Sequence, residues 1–219
     1  MKQTNPFVYS NDNKRYHTWN YCLREEFGQK TYKVALDGGF DCPNRDGTVA
    51  HGGCTFCSAA GSGDFAGNRA HDYDCYLEGV HKLQKHNIRI CTHIINGLPK
   101  ETPEMMMETT RKVVESGVDG IKIHLLHLLK GTPMVEDYKK GDLEFLTRDG
   151  YVNLVADQLE ILPPEMVIHR ITGDGGVDDL IGPVWSLNKF EVLNAIDAEL
   201  VRRDSWQGKH YQPVEVISE

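Results

Sequence analysis

Short β-branched runs alternate along this chain with amphipathic helical stretches. That alternation restricts it to an α/β fold in which mainly parallel strands are packed by outer helices. The strand-like runs are TYKVALDGGF, IRICTHIING, GIKIHLLHL and VIHRIT. Helical periodicity occupies residues 15–27, 72–86, 103–116, 151–160 and 188–202. Gly28 suits a helix C-cap, and Thr102 followed by Pro103 suits a helix start. Residues 131–150 and 175–187 read as loops. Tyr76, Val80 and Leu83 share one helix face, and one or two of Met105, Met106 and Met107 are expected in the core.

Parallel strands covered on both faces should be apolar throughout, and these are not. Lys122 and His124 share one face of their strand, His93 lies on the preceding run, and His169 or Arg170 on a later one. A single strand histidine is ordinarily a hydrogen-bonded core residue. Polar residues recurring on successive strands instead fit the lumen of a partial barrel that holds a polar ligand. Lys122, His124, His169 and Arg170 are therefore candidate lumen residues, with no chemical step assigned to any of them.

Cys42, Cys54 and Cys57 lie in CPNRDGTVAHGGCTFC, directly after the first strand-like run. A C-x2-C pair with a third cysteine upstream is metal-ligand spacing, and Gly47, Gly52 and Gly53 let the loop wrap around a centre. Three thiolates leave one position open, which suits an iron–sulfur cubane with a free iron. The alternative is a closed Cys3His zinc site that adds His51. The later C-x2-C or H-x3-H pair of a zinc finger is absent. Cys22, Cys75 and Cys91 fall in periodic segments and are expected to pack as small apolar side chains.

Composition narrows the setting. A chain of 219 residues can bury one substantial core and is most simply a single domain. No apolar run reaches membrane-spanning length and the first residues lack a signal-peptide stretch, so the expectation is a cytoplasmic protein without a membrane partner. Clustered cysteines in that compartment point to metal or redox chemistry. A net charge of −8 argues against a uniformly basic nucleic-acid surface, although it leaves room for a local patch.

The segments KTYKVALDGGFDCPNRDG, GGCTFCSAAGSGDFAG, THIINGLP, IKIHLLHLLKGTP and HRITGDG resemble radical S-adenosylmethionine (SAM) enzymes of the YhcC/YtqA group, relatives of the catalytic subunit of the elongator complex. The resemblance implies that Cys42, Cys54 and Cys57 hold a [4Fe–4S] cluster whose fourth iron chelates SAM. The reduced cluster then cleaves SAM to a 5′-deoxyadenosyl radical that abstracts hydrogen from a substrate. It also implies that Phe56 shields the cluster and that Ile95, Asn96 and Gly97 contact adenine. An electron donor such as flavodoxin or ferredoxin is implied as partner, and tRNA enters as substrate by analogy with the elongator relatives.

The chain departs from the family pattern in two places. Thr92 or His93 stands where the family has the first glycine of its adenine-contacting strand end, and Lys100 stands where a Pro-Gly-Glu turn has glycine. More seriously, only about four strands can be found where six βα units are expected. GDFAGNRA resembles the end of the cluster segment, whereas NRAHDYDCYLEGV resembles the segment before the fifth strand. The two are joined through Asn68-Arg69-Ala70. The expectation is a truncated radical SAM partial (βα) barrel, one domain over 1–219 shortened near 68–72 by about three βα units of roughly 30 residues each. A non-catalytic iron–sulfur or zinc-binding remnant is the alternative.

Overall fold

Isoleucines at alternate positions of the strand-like runs give a sheet with one apolar and one polar face. The computed structural model describes residues 5–10, 12–31, 73–173 and 178–213. In chain order the elements are α1 (Trp19–Phe27), α2 (Tyr73–Lys85), β1 (Cys91–Asn96), α3 (Pro103–Glu115), β2 (Gly120–Leu125), β3 (Leu128–Leu129), α4 (Met134–Lys140), α5 (Arg148–Ile161), β4 (Val167–Arg170), β5 (Leu180–Gly182), a 3₁₀ turn (Val184–Leu187) and α6 (Lys189–Arg202). The TYKVALDGGF run and the cysteine loop lie outside the described residues.

Strands β1, β2 and β4 form a parallel sheet in the order β1–β2–β4. Ile94 pairs with Ile123 across β1 and β2, and Ile121 pairs with Ile168 across β2 and β4. Thr18 adds a parallel bridge to Ile168, whose N–H donates to the His17 carbonyl at 2.8 Å. The chain just before α1 thus extends the sheet beyond β4. The register shifts between Ile121 and Lys122, so that Lys122 faces Arg170 and His169 is the extra residue of a β-bulge.

The apolar face packs against helices. Ile121 and Ile123 are fully buried together with Tyr151, Val155, Ala156 and Leu159 of α5 and Ile196 and Leu200 of α6. Each such aliphatic side chain contributes about 1.5–3 kcal/mol on burial. α5 contacts both α3 and α6. Helix surrounded on several sides must be apolar on most of its circumference, and α5 buries Tyr151, Val152, Leu154, Val155, Ala156 and Leu159. The buried Tyr151 hydroxyl is satisfied by the Ile171 carbonyl at 3.0 Å.

Several elements differ from the sequence reading. α1 begins at Trp19 and not at residue 15, because Arg15, Tyr16 and His17 are buried ahead of it, the His17 carbonyl accepts from the Ile168 N–H of β4, and the Thr18 hydroxyl caps the Tyr21 N–H at 3.2 Å. The stretch read as a loop at 131–150 contains α4 and the first turn of α5, where the Thr147 hydroxyl accepts from the Gly150 N–H at 3.0 Å. The stretch at 175–187 contains β5 and the 3₁₀ turn. β5 pairs antiparallel with β3 over a second small core of Leu126, Leu128, Met134 and Leu143. Cys91 is exposed and Cys22 only half-buried, so these two do not pack as core residues; the Cys75 side chain lies outside the described residues. On α2, Val80 is buried but Leu83 is exposed, and of the three methionines only Met106 is fully buried. Among the described residues no helix is long and apolar enough to cross a membrane.

One side chain ties the two ends of the described fold together. Gln207 is fully buried, and its N–H donates to the Arg15 carbonyl at 2.9 Å. Its Oε1 accepts from the His17 N–H at 2.8 Å, while Nε2 donates to the carbonyls of Pro163 at 2.6 Å and Met166 at 2.8 Å. Gln207→Ala strands the His17 N–H and the Pro163 and Met166 carbonyls in the interior, where an unsatisfied donor or acceptor costs about 1–3 kcal/mol. The substitution is expected to lower unfolding stability by about 2 kcal/mol or more, as read by urea denaturation. A loss below about 0.5 kcal/mol would show that water replaces the amide without cost.

Candidate functional site

The polar face of the sheet gathers the candidate residues. Lys122 of β2 pairs in register with His93 of β1 on one side and Arg170 of β4 on the other. The His93 and His124 rings meet edge to face with centroids 4.2 Å apart. The His169 ring lies over Gly120; a Cβ there would come within 2.8 Å of its Nε2, so only glycine admits the imidazole. Trp19 stacks on His169 at 4.2 Å and 24°. The bulge explains how both His169 and Arg170 reach this face, where strict alternation would admit only one of them. All four lumen candidates lie on the adjacent strands β2 and β4, and Lys122 and His124 are half-buried.

Electrostatics follow from this placement. Burial holds the His93 imidazole below its usual pKa, and the nearby charges of Lys122 and Arg170 push it in the same direction. His93 is therefore neutral near pH 7 and can serve as donor or acceptor.

The carboxyl ends of the strands, where α/β proteins generally place ligands, carry two prepared turns. After β1, Gly97 adopts φ +84°, and its N–H donates to Glu101 Oε2 at 3.0 Å and Met106 Sδ at 3.1 Å. The Leu98 N–H donates to the same Glu101 oxygen at 3.1 Å. Burial raises the Glu101 pKa, while the bonds from Leu98 and Gly97 oppose that rise. Asn96 turns to the core side, where its side chain and that of Gln158 exchange bonds of 2.9 and 3.0 Å; Gln158 also donates to Thr110 Oγ1 at 2.9 Å. Ile95 is half-buried against the second core. Of the three residues matched to an adenine contact, Gly97 lies in the turn itself, whereas the Asn96 side chain is committed to Gln158. After β4, Gly173 lies against His127: a Cβ at Gly173 would approach the ring to 2.4 Å. The metal candidates Cys42, Cys54 and Cys57, and Phe56 beside them, lie outside the described residues.

Sequence reasoning did not single out Trp19, Gly120, His127, Glu101 or Gln158. His127 recurs three residues after His124 in IHLLHL, a signal that was present. The other four acquire their places only from tertiary packing.

The "Radical_SAM C-terminal domain" family matches residues 118–202, a stretch that runs from just before β2 to the end of α6 and holds Lys122, His124, His169 and Arg170. The uncharacterized protein YtqA of Bacillus subtilis is 48% identical, and the match covers 98% of each chain. The chain belongs to the YhcC/YtqA group of radical SAM proteins. YhcC of Escherichia coli strain K12 is 25% identical across 81% of this chain and 90% of its own. The alignment to YtqA runs over 317 positions against 219 residues here, so at least 98 of its positions have no residue of this chain. In fold, the chain is similar to the archaeal Methanocaldococcus infernus Elp3 with an N-terminal deletion, at a TM-score of 0.55 and 14% identity over 64% of this chain and 33% of that one. The open, mainly parallel sheet is that of a partial barrel.

If the polar face has the geometry described, Lys122→Met will raise the His93 pKa towards 6.5, because a neighbouring positive charge is removed while burial remains. Histidine-selective NMR titration of both proteins reads this directly. A downward or absent shift would place the Lys122 ammonium away from His93.

Proposed function

We propose that this chain is a cluster-binding radical SAM protein whose capacity to cleave SAM is much reduced by loss of internal βα units near residues 68–72. The observation that carries the reading is the near-complete match to YtqA, an alignment in which at least 98 positions find no residue here. That number agrees with about three βα units of roughly 30 residues each. Cys42, Cys54 and Cys57 would hold the [4Fe–4S] cluster, with Phe56 shielding it. The cluster, when bound and reduced, supplies the electron for reductive cleavage of SAM.

The described residues fit one part of this task. Gly97 gives a side-chain-free turn at the carboxyl end of β1, and Glu101 and Met106 fix it from behind. Ile95 and Gly97 would flank the adenine, with Asn96 holding the turn to α5 through Gln158. Lys122, His124, His169 and Arg170 line the face that would receive a substrate. A substrate in tRNA, a cytoplasmic location and a flavodoxin or ferredoxin as electron donor complete the reading. The segments that would grip the amino group and ribose of SAM are the ones proposed to be missing. Positioning a sulfonium against an open iron needs several strand ends acting together.

Anaerobic reconstitution is expected to load about four irons per chain. Cys42→Ala, Cys54→Ala and Cys57→Ala should each abolish the broad visible absorption, while Cys22→Ala and Cys91→Ala leave it unchanged. Tetrahedral zinc with no iron uptake would overturn the cluster.

With dithionite as reductant, 5′-deoxyadenosine formation is expected to fall at least about a hundredfold below that of an uninterrupted relative. Loss of two charge-assisted hydrogen bonds at about 1.5–3 kcal/mol each is enough for that. Turnover equal to the relative would remove the claim that essential segments are lost. Complete absence of cleavage with an intact cluster favours the second reading, a non-catalytic iron–sulfur remnant, which the same unmatched positions support.

A further inference from the structure

Gln158 carries an amide where a helix turned towards an apolar core ordinarily carries a hydrocarbon. It is fully buried on α5 beside Val155 and Leu159, which share one core with Ile121 and Ile123. An amide taken out of water costs roughly 1–3 kcal/mol when left unpaired, so its polar atoms need partners in fixed positions. Oε1 accepts from Asn96 Nδ2 at 2.9 Å. Nε2 donates to Asn96 Oδ1 at 3.0 Å and to Thr110 Oγ1 at 2.9 Å, with a longer contact of 3.4 Å to the Met106 carbonyl. Asn96, Thr110 and Met106 are buried as well. Gln158 thus has no surface to offer a ligand.

These bonds meet on both sides of the turn after β1. Asn96 is the residue before Gly97. Thr110 carries the link to Met106, whose carbonyl accepts the Thr110 hydroxyl at 3.1 Å and whose sulfur accepts the Gly97 N–H at 3.1 Å. Gln158 therefore fixes both the strand end from which the turn departs and the part of α3 that receives its first N–H. A leucine at 158 fills the core equally well but leaves the Asn96 amide without its partner. A buried network that loses one member is relieved only by movement of the others.

We propose that Gln158 is a positioning residue for the β1 turn, setting the backbone at Gly97 and Leu98 from within the core, so that affinity for the adenosyl group of SAM is governed by a side chain that never touches it. The inference rests on the proposed assignment of this turn to the adenine. Its first readout needs no ligand, so its failure is distinct from failure of that assignment.

Amide hydrogen exchange of the full chain is followed by NMR at Gly97 and Leu98, with Ile123 as the core reference. The proteins compared are the unaltered chain, Gln158→Leu, Asn96→Ala, the double variant and Tyr151→Phe. Gln158→Leu is expected to speed exchange at Gly97 and Leu98 by about tenfold or more relative to Ile123, as loss of a buried hydrogen-bond partner requires. In the Asn96→Ala background it should add less than about twofold, because members of one network do not act additively. Tyr151→Phe removes a different buried hydrogen bond from the same helix, the one to the Ile171 carbonyl, and should leave the ratio unchanged. The reconstituted proteins are then titrated with SAM by equilibrium dialysis, where Gln158→Leu should weaken binding about tenfold, in step with the exchange. Circular dichroism confirms that each variant is folded; should Gln158→Leu not fold, Gln158→Glu, which keeps the acceptor and loses both donors, takes its place. An unchanged exchange ratio, an equal rise at all three amides, a full effect in the Asn96→Ala background, or faster exchange with unaltered SAM affinity overturns the proposal. If the unaltered chain binds no SAM, the adenine assignment falls, and the exchange ratios alone decide whether Gln158 sets the turn.

Discussion

Ile121, Ile123 and Ile168 turn towards α5 and α6, and their burial there fixes the register of the central strands. A slip of one residue would bring Lys122 and His124 into the helical core and expose every isoleucine. The same constraint therefore secures the apolar interior and projects the cations and imidazoles together on the opposite side. Stability and the candidate site are two outcomes of one alternation. Helices pack against the apolar face, while Trp19 stacks on His169 and Ile95 meets the second core on the polar one.

A buried polar network links these strands to their helices. Asn96 and Gln158 exchange two hydrogen bonds, Thr110 joins them, and the Thr110 hydroxyl in turn donates to the Met106 carbonyl at 3.1 Å. Met106 also accepts from Gly97 through its sulfur. Groups of this kind are costly when half-satisfied and rigid when complete. The turn after β1 is consequently held by α3 and α5 at once, so that its shape is set before any ligand reaches it.

Much of this could be read from local chemistry. Thr102-Pro103 marks the start of α3 correctly because an N-cap hydroxyl and a proline at the first position need no tertiary help. The face shared by Lys122 and His124 follows from strand periodicity alone. What could not be read depends on contacts distant in sequence. Arg15–His17 look helical, but the Arg15 carbonyl is taken by the Gln207 N–H and the His17 carbonyl by the Ile168 N–H of β4. Alternation offers a choice between His169 and Arg170, and only the bulge opposite Lys122 shows that both are used. α4 hides in a stretch rich in Gly, Pro and charges, and β5 pairs over only three residues with β3, too short a run to signal itself. The resemblance to radical SAM proteins was carried by motifs, and the match to YtqA bears out that family.

Gln207 joins backbone groups separated by 190 residues, since its acceptor holds the His17 N–H. On a ribosome this separation becomes a delay. At roughly 5–20 residues per second, about 10–40 s pass between emergence of His17 and emergence of its partner. During that interval Arg15, Tyr16 and His17, later buried, travel with the nascent chain as exposed and unpaired backbone. The edge of β4 beside which they settle also emerges late. Docking of the amino-terminal segment is thus a late event, and the wait before it is the period in which the unfinished chain is most open to mispairing.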